Sequence, residues 1–444
     1  MRTPDVRSWT RSIRREGSAD RGPRIEFDFL RSILDDSARS RDDHPFDPDR
    51  FGREIGGVAW AFRGYDVQNL GRSRELLEHA RYAPIVRETL RLVGEIASDT
   101  VHRKIDLVDR VANERPTTLT EFADDAAMIV AMEWAQLRLL EEIHDVDIRS
   151  ARLSIGYSIG ELTALILGGT FTLEQLLPVP LALADDSAEL AEKTSMGVVF
   201  SRGAALDRER IDRLCREISA EGRGLIGPSA HLSPNTTLIL GADDTLARFE
   251  SRLADALGTK VHFRRNPHRW PPLHSPLVWE KHIPNRAANL LYRTTGGASV
   301  PRPSIASCIS GAVDYSPANC RDHLVAWTDH PQRLWDAIDA VLASNARTVV
   351  HVGPAPNLIP STFDRLSNNV RRHLSNPVLR ALGHDMAHTL SRHAWLSQLL
   401  PARASLLRLP WIRHVVLEDW LSAQPTTSSQ ISVPSLEVEG RVAR

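Results

Sequence analysis

The apolar positions along this chain follow two spacings, and the spacing changes from one segment to the next. An unbroken apolar run at residues 57–62 predicts a buried strand, because strands covered on both faces lack polar alternation. Apolar residues then recur at helical spacing over residues 73–111 and 120–144, with Thr120 as the expected N-cap of the second helical segment. A second short apolar run follows at residues 151–156 and predicts another buried strand.

The segment of residues 195–262 has a different pattern. Short apolar runs predict strands, and amphipathic segments between them predict helices. The order is strand, helix, strand, helix, strand, at residues 196–200, 207–220, 236–240, 244–257 and 261–263. These five elements predict a small α/β unit with a sheet of its own, inserted into a larger unit.

The larger unit resumes after this insertion. The pattern predicts a helix, a strand, a helix and a strand at residues 275–291, 304–309, 332–342 and 348–352. Short apolar helices interleaved with arginines follow. We interpret them as packing on their own domain, although such a stripe is also compatible with a membrane surface.

The resulting division of the chain has five parts. We expect a partly disordered N-terminal extension at residues 1–54 and a large subdomain in two pieces, at residues 55–194 and 263–370. The inserted small subdomain occupies residues 195–262. A C-terminal helical extension follows at residues 371–423, and a flexible tail at residues 424–444.

Composition and charge argue against several classes of function. The chain has 444 residues and a formal net charge of −1, which favours neither nucleic acid nor an anionic membrane as a partner. Cys215, Cys308 and Cys320 lack metal-ligand spacing, so we expect no metal site and a reducing, cytoplasmic location. No run of 18 apolar residues occurs, and no apolar segment near the N-terminus suggests export, so we expect no transmembrane segment.

The second predicted strand leads directly into Gly-x-Ser-x-Gly at residues 156–160, and a strong helix former follows. A nucleophilic serine on a strand-to-helix turn needs small neighbours, because backbone segments approach closely there. Its hydroxyl then lies at a helix N-terminus, where N–H groups stabilise a developing oxyanion. We interpret Ser158 as such a nucleophile; the alternative is an ordinary glycine-rich turn. We interpret Glu161 as a charge that complements the helix dipole.

Four short motifs occur in a fixed order along the chain. They are Gly156-Tyr157-Ser158-Ile159-Gly160-Glu161, Pro272-Leu273-His274-Ser275-Pro276-Leu277, Ser307-Cys308-Ile309-Ser310-Gly311 and His351-Val352-Gly353-Pro354. A weaker fifth motif lies at residues 62–68. This ordered set resembles the malonyl-CoA:acyl-carrier-protein transacylase family and the acyltransferase domains of polyketide and fatty acid synthases. The resemblance covers residues 55–370.

The resemblance implies an α/β fold with two parts. One is an α/β-hydrolase-like large subdomain with a mainly parallel sheet and a nucleophile elbow, and the other is an inserted ferredoxin-like small subdomain. It also implies that Ser158 is the nucleophile and that His274 takes its proton. The backbone near Ser307 and Cys308 would orient His274.

The remaining site residues are also implied by the resemblance. The backbone N–H groups of Ile159 and Tyr65 would form the oxyanion hole, and Gly64, Tyr157 and Leu183 would contact the substrate. No tightly bound cofactor is implied, and a coenzyme A thioester would be the substrate.

This sequence departs from the family pattern in the first loop and beside the serine. Tyr157 replaces the histidine that precedes the nucleophile, and Tyr65 and Asp66 replace a glutamine and a glycine. These changes alter the pocket wall. His351, in the fourth motif, could line the pocket, but we expect a structural role.

A further departure concerns the charge of the acyl group. The family holds a malonyl carboxylate with an arginine, and an ungapped count places Leu183 at that position. A buried carboxylate without its cation is strongly disfavoured. We therefore expect either an uncharged acyl group or another arginine in the pocket, with Arg202 and Arg138 as candidates.

The leading hypothesis is an acyltransferase of the malonyl-transacylase type. It would move a malonyl or related short acyl group from coenzyme A through Ser158 to the phosphopantetheine thiol of an acyl carrier protein, in fatty acid or polyketide biosynthesis. The alternatives are a serine hydrolase or thioesterase that uses Ser158 and His274, and a non-catalytic scaffold that binds carrier protein.

Overall fold

The computed structural model of the protein describes residues 52–116, 118–374 and 403–424. Nearly all of the N-terminal extension, residues 375–402 of the C-terminal extension and all but residue 424 of the expected flexible tail lie outside these residues. The strands of the described chain are β1 (Val58–Phe62), β2 (Leu153–Gly156), β3 (Thr194–Ser201), β4 (Ile226–Ser233), β5 (Thr236–Ala242), β6 (Val261–Arg269), β7 (Ile305–Ala306), β8 (Thr348–Val352) and β9 (Arg413–Val416).

Helices connect these strands. The α-helices of the described chain are α1 (Ser73–Glu78), α2 (Ala83–Val101), α3 (Leu107–Ala112), α4 (Phe122–Glu142), α5 (Ile159–Leu167), α6 (Leu173–Leu176), α7 (Pro178–Leu181), α8 (Ala184–Ala191), α9 (Arg208–Ala220), α10 (Thr245–Leu257), α11 (Ile283–Arg293), α12 (Cys320–Asp329), α13 (Leu334–Ala343), α14 (Leu358–Leu374) and α15 (Leu417–Ser422). Short 3₁₀ helices lie at Ile55–Gly57, Leu119–Glu121, Ile148–Ser150, Pro276–Lys281 and Ala404–Trp411.

The larger sheet is parallel, with strand order β7-β2-β1-β8-β9. Strand β1 lies at its centre, where Ala61 is in register with Ile155 on β2 and with His351 on β8. Parallel strands need crossover connections, and helices supply them on both faces of the sheet. The prediction of an α/β fold with a mainly parallel sheet is confirmed.

The two faces of β1 carry side chains of different size. Trp60 and Phe62 pack into one apolar core together with helices α2, α4 and α5. Ala59 and Ala61 face the other core, which contains helices α13 and α14. Successive side chains of a strand point to opposite faces, so this five-residue strand contributes to both cores. Its unbroken apolar character is what made it predictable.

The second sheet is antiparallel, with strand order β4-β5-β3-β6. Helices α9 and α10 pack on one face, where Ile211 and Phe249 join Val199 and Ile239 in a separate core. The chain order is strand, helix, strand, strand, helix, strand. The sequence predicted only three of these strands, because β4 contains Gly227, Pro228 and several serines, which are typical of turns. Strand β6 also extends beyond the predicted boundary at residue 262, to Arg269.

The C-terminal segment adds a strand that the sequence pattern did not predict. We expected short helices over residues 371–423, and two helical segments do occur at Ala404–Trp411 and Leu417–Ser422. Between them, β9 pairs in parallel with β8 and extends the larger sheet by one strand. Within the part of the chain that the structure describes, no helix has the length and apolar character needed to cross a membrane.

Two histidines join this added strand to the rest of the sheet. His351 on β8 is buried, and its ring stacks on that of His414 on β9 at 5.3 Å, with His351 Nε2 3.0 Å from His414 Nδ1. Burial lowers the pKa of His414 to about 4 and that of His351 well below its usual value. This contact gives His351 the structural role that we expected.

The pair predicts a loss of stability on mild acidification. Each imidazole has a lower pKa in the folded chain than in the unfolded chain, so the unfolded chain binds more protons as the pH falls below about 6.5. We expect His414→Phe to reduce the loss of unfolding free energy between pH 7 and pH 5 by about 1–2 kcal/mol.

Urea unfolding at pH 7 and pH 5 measures this difference. His268→Phe is the control, because His268 is exposed. An equal pH dependence in His414→Phe and the parent protein would contradict the prediction.

Candidate active site

The predicted nucleophile lies on a tight turn between strand β2 and helix α5. Ser158 has a φ of 54° and a ψ of −122°, an uncommon conformation for a residue other than glycine. A Cβ atom at Gly156 would lie 2.2 Å from the Glu161 nitrogen, and one at Gly160 would lie 2.4 Å from the Arg63 carbonyl oxygen. Both glycines are therefore required by close approach of the backbone on either side of Ser158.

The turn brings the Ser158 hydroxyl to His274. Ser158 Oγ lies 2.7 Å from His274 Nε2, although 116 residues separate the two positions along the chain. The other ring nitrogen, Nδ1, lies 2.6 Å from the carbonyl oxygen of Trp327. A carbonyl oxygen only accepts, so Nδ1 carries the proton and Nε2 is free to accept the serine proton.

The prediction that the backbone at Ser307 and Cys308 orients His274 was wrong. The Trp327 carbonyl performs this role, and the backbone N–H of His274 donates to the next carbonyl, that of Thr328, at 2.7 Å. Ser307 and Cys308 bind a different residue of the site.

That partner is Glu161, which is fully buried. Its Oε1 accepts from Ser307 Oγ at 2.7 Å, from the Cys308 N–H at 3.1 Å and from Tyr315 Oη at 3.0 Å. Burial raises the pKa of Glu161 to about 7, and the three hydrogen bonds oppose this rise. Glu161 is thus more than a charge at a helix N-terminus, because it ties helix α5 to the loop after β7.

His274 is itself 5 % exposed. Burial lowers its pKa to about 4, although the hydrogen bond to Trp327 raises it. An imidazole with this pKa is neutral at pH 7, which is the form that can accept a proton.

The loop after β1 lies against the serine. A Cβ atom at Gly64 would lie 2.6 Å from Tyr157 Cδ1 and 3.2 Å from Ser158 Cβ, so only glycine fits there without displacement. The adjacent residue, Tyr65, was predicted to supply an oxyanion donor together with Ile159. Tyr65 follows Gly64 on the loop after β1, and Ile159 follows Ser158 on the turn after β2, so the two residues lie on adjoining segments. Their role as oxyanion donors stays a prediction.

Arg63 holds the loop after β1 in place through hydrogen bonds. Its guanidinium donates to the carbonyls of Gly64 at 2.8 Å and Pro354 at 2.5 Å, and to Asn69 Oδ1 at 2.6 Å. Gly353 adjoins it, since a Cβ atom there would lie 2.8 Å from Arg63 Cγ. The fourth motif therefore supports the loop rather than lining the pocket.

Aromatic rings pack around the loop after β1. The Tyr65 ring meets Phe122 edge-to-face at 5.1 Å and Trp270 edge-to-face at 5.9 Å. Tyr157, whose ring adjoins Gly64, is partly buried. Burial, followed by the charges of Asp125 and Asp66, raises the pKa of Tyr65 well above its usual value.

The arginines considered for a substrate carboxylate lie elsewhere. Arg138 is paired with Glu88 and Glu142, at 2.9 Å and 2.6 Å. Arg202 is exposed just after β3 in the antiparallel sheet. Leu183 is 1 % exposed and packs in the apolar core that contains α2, α4 and α5. Its predicted contact with substrate stays a prediction.

Sequence reasoning missed two residues of the site, Trp327 and Gln332. Trp327 Nε1 donates to the Ser158 carbonyl oxygen at 2.9 Å, and Gln332 Oε1 accepts from the Ser158 N–H at 3.1 Å. Gln332 Nε2 also lies 3.2 Å from His274 Nδ1. Neither residue belongs to one of the recognised motifs, and no spacing in the sequence distinguishes them from other buried residues. Among the described residues, no group of three or more potential metal ligands occurs.

Comparison with known proteins gives one curated relative and many similar structures. The hispidin synthase of Neonothopanus nambi is 21% identical to this chain over 304 residues. The match covers 67% of this chain and 17% of that protein, so the chain spans about one sixth of its relative's length. No protein-family model matches the chain.

Three similar structures illustrate the likeness in fold. An acyl carrier protein S-malonyltransferase from Vibrio cholerae has a TM-score of 0.55 and 20% identity, over 67% of this chain and 90% of that one. A malonyl-CoA:acyl carrier protein transacylase from Xanthomonas oryzae has a TM-score of 0.53 and 20% identity, over 69% and 90%. A malonyl-transacylase solved with its type II polyketide synthase acyl-carrier protein has a TM-score of 0.53 and 22% identity, over 69% and 91%. The chain therefore has the fold of the malonyl-CoA:acyl carrier protein transacylases.

Proposed function

We propose that this protein is an acyltransferase in which Ser158 carries the acyl group. The observation that supports it best is the 2.7 Å contact between Ser158 Oγ and His274 Nε2, with Nδ1 held by the Trp327 carbonyl. In this proposal, the turn at Ser158 is a nucleophile elbow, and the antiparallel unit is the ferredoxin-like subdomain inserted into the larger one.

The first half-reaction takes the acyl group from a coenzyme A thioester. His274 Nε2 accepts the hydroxyl proton while Ser158 Oγ attacks the thioester carbonyl carbon. The carbon–sulfur bond then breaks, and the departing thiolate receives the proton from His274. The backbone N–H groups of Ile159 and Tyr65 hold the oxyanion between these events.

The second half-reaction reverses the first with another thiol. The phosphopantetheine thiol of an acyl carrier protein gives its proton to His274 and attacks the Ser158 ester. Ser158 Oγ leaves and recovers the proton. The neighbour solved with an acyl-carrier protein supports this choice of acceptor.

The partners of two buried or half-buried arginines bear on the charge of the acyl group. We propose an uncharged acyl group rather than malonyl. The guanidinium of Arg63 is fully buried and hydrogen-bonded to the loop, and Arg138 is ion-paired on helix α4. The rings of Tyr65, Phe122 and Trp270 offer apolar surface instead. Neither Arg63 nor Arg138 is free to pair with a carboxylate buried beside these rings, and burial of an unpaired carboxylate is strongly disfavoured.

Intact-protein mass spectrometry tests the acyl-enzyme. After incubation with a panel of malonyl-, acetyl-, butyryl- and benzoyl-CoA, we expect an adduct from an uncharged donor on the parent protein and none on Ser158→Ala. A malonyl adduct alone would keep the proposed chemistry and contradict the uncharged acyl group. No adduct from any donor would contradict the acyl-enzyme itself. Release of free acid faster than transfer to a carrier protein would favour a thioesterase.

The low pKa of His274 predicts an unusual pH dependence of acylation. Because the ring stays neutral until the pH approaches 4, the rate should be nearly constant from pH 8 to pH 5 and fall below that. Stopped-flow release of the coenzyme A thiol measures the rate, and circular dichroism at each pH checks that the protein is folded. A limb centred near the ordinary histidine value of about 6.5 would be inconsistent with the buried, neutral base.

Gly64→Ala tests whether the loop after β1 positions Ser158 for acylation. The new methyl group would lie 2.6 Å from the Tyr157 ring, 2.9 Å from the Tyr157 carbonyl oxygen and 3.2 Å from Ser158 Cβ, so the backbone that leads into the serine has to move. We expect acylation to slow by about 100-fold, since misplacement by about 1 Å has that effect on a positioned nucleophile. Gly203→Ala is the control, because no atom lies within 4 Å of its Cβ position. Equal acylation rates in both variants would show that the loop does not position Ser158.

A further inference from the structure

One short segment, residues 327–332, holds both members of the Ser158–His274 pair. Its carbonyl groups at Trp327 and Thr328 accept from Nδ1 and from the backbone N–H of His274. Its side chains at Trp327 and Gln332 bind the carbonyl and the N–H of Ser158. Both backbone polar groups of the serine therefore bond to side chains of this segment, and the serine carbonyl also accepts from the Glu161 N–H at 3.0 Å.

Gln332 places one side-chain amide against both Ser158 and His274. It is fully buried, and its own backbone is fixed by strand β4, since its N–H donates to the Ser229 carbonyl at 2.8 Å and its carbonyl accepts from the His231 N–H at 2.7 Å. The side chain is thus anchored to the antiparallel sheet while its amide contacts the turn of the parallel sheet.

The orientation of the amide follows from its donors and acceptors. The Ser158 N–H can only donate, so Gln332 Oε1 must face it. The amide nitrogen then faces the imidazole, 3.2 Å from Nδ1. Since Nδ1–H is bound to the Trp327 carbonyl, this neighbouring N–H offers no stabilisation to a positively charged ring.

We propose that Gln332 is a positioning residue that holds Ser158 in its left-handed backbone conformation and keeps His274 in its neutral form. This role rests on the proposed function. A carboxylate at the same place would still accept from the Ser158 N–H, but it would stabilise the imidazolium. The lack of charge on the amide, and not only its shape, therefore keeps His274 neutral.

Charged side chains near His274 do not account for its neutral form. In the described chain, no ionised side chain bonds to His274 directly. On the segments next to His274 and Gln332, Arg269 donates to Ser195 Oγ and Arg333 is paired with Asp336. Asp329 is paired with His330, and Glu280 and Lys281 are paired with Lys193 and Glu189. These pairs belong to all variants and do not differ between them.

Two substitutions at this position test the proposal. Gln332→Leu removes both contacts, and we expect the Ser158 acylation rate at saturating thioester to fall by about 10- to 100-fold, with the apparent dissociation constant changed less than about twofold. Gln332→Glu keeps the serine contact, and we expect it to move the low-pH limb of acylation upward by about one pH unit or more.

Nuclear magnetic resonance titration of His274 gives a readout that does not depend on activity. We expect the His274 pKa to rise in Gln332→Glu, with the resonance assigned by its loss in His274→Asn. Gln136→Leu is the matched control, because Gln136 is also a buried glutamine but binds the Gly353 N–H. It should lower stability and leave the His274 titration unchanged.

The outcomes separate the two proposals. If the parent protein is not acylated but the His274 pKa rises in Gln332→Glu, the proposed function fails and the effect of Gln332 on His274 stands. If the parent protein is acylated and Gln332→Glu changes neither the pH profile nor the titration, the role of Gln332 is overturned. Should Gln332→Leu not fold, Gln332→Glu alone decides.

Discussion

The hydrogen bond from His274 Nδ1 to the Trp327 carbonyl is the interaction on which the site depends. It selects the tautomer in which Nε2 faces Ser158. A carbonyl orients the ring without adding a charge, so the imidazole can be buried as a neutral group. A carboxylate in the same place would favour the charged form and would itself need to be desolvated. The Trp327 carbonyl thus orients His274 without an acidic third residue.

Close approach of three backbone segments is the second constraint. The loop after β1, the turn after β2 and the loop after β8 meet around Ser158 and Arg63, and glycine occupies each contact point, at Gly64, Gly160 and Gly353. These strands are neighbours at the centre of the parallel sheet, so their carboxyl ends lie side by side. This geometry links motifs that are separated along the chain, and Glu161 adds the loop after β7 to the same edge.

The sequence predicted the parts of this arrangement that depend on local pattern. The apolar run of β1 and the glycines around Ser158 follow from residue type and spacing, whereas His274 was implied by the resemblance of an ordered set of motifs to a known family. Strand β4 was missed because glycine, proline and serine are typical of turns, and its backbone is held by pairing with β5. Strand β9 was missed because its partner β8 lies about 60 residues earlier in the chain, and a local sequence pattern does not reveal such a distant pairing. The orienting carbonyl of Trp327 was assigned elsewhere because a backbone acceptor has no signature in residue type. Gln332 acts through a side chain, yet its role depends on where the fold places it.

The reactivity of Ser158 with a fluorophosphonate, mapped by peptide mass spectrometry, tests the central claim without knowledge of the acyl group. An activated serine forms a stable covalent phosphonyl ester with such a reagent. We predict a single adduct on Ser158 in the folded protein and at least a 100-fold slower reaction in His274→Ala. An adduct that forms at the same rate without the imidazole, or that forms only at other residues, would contradict activation of Ser158 by His274.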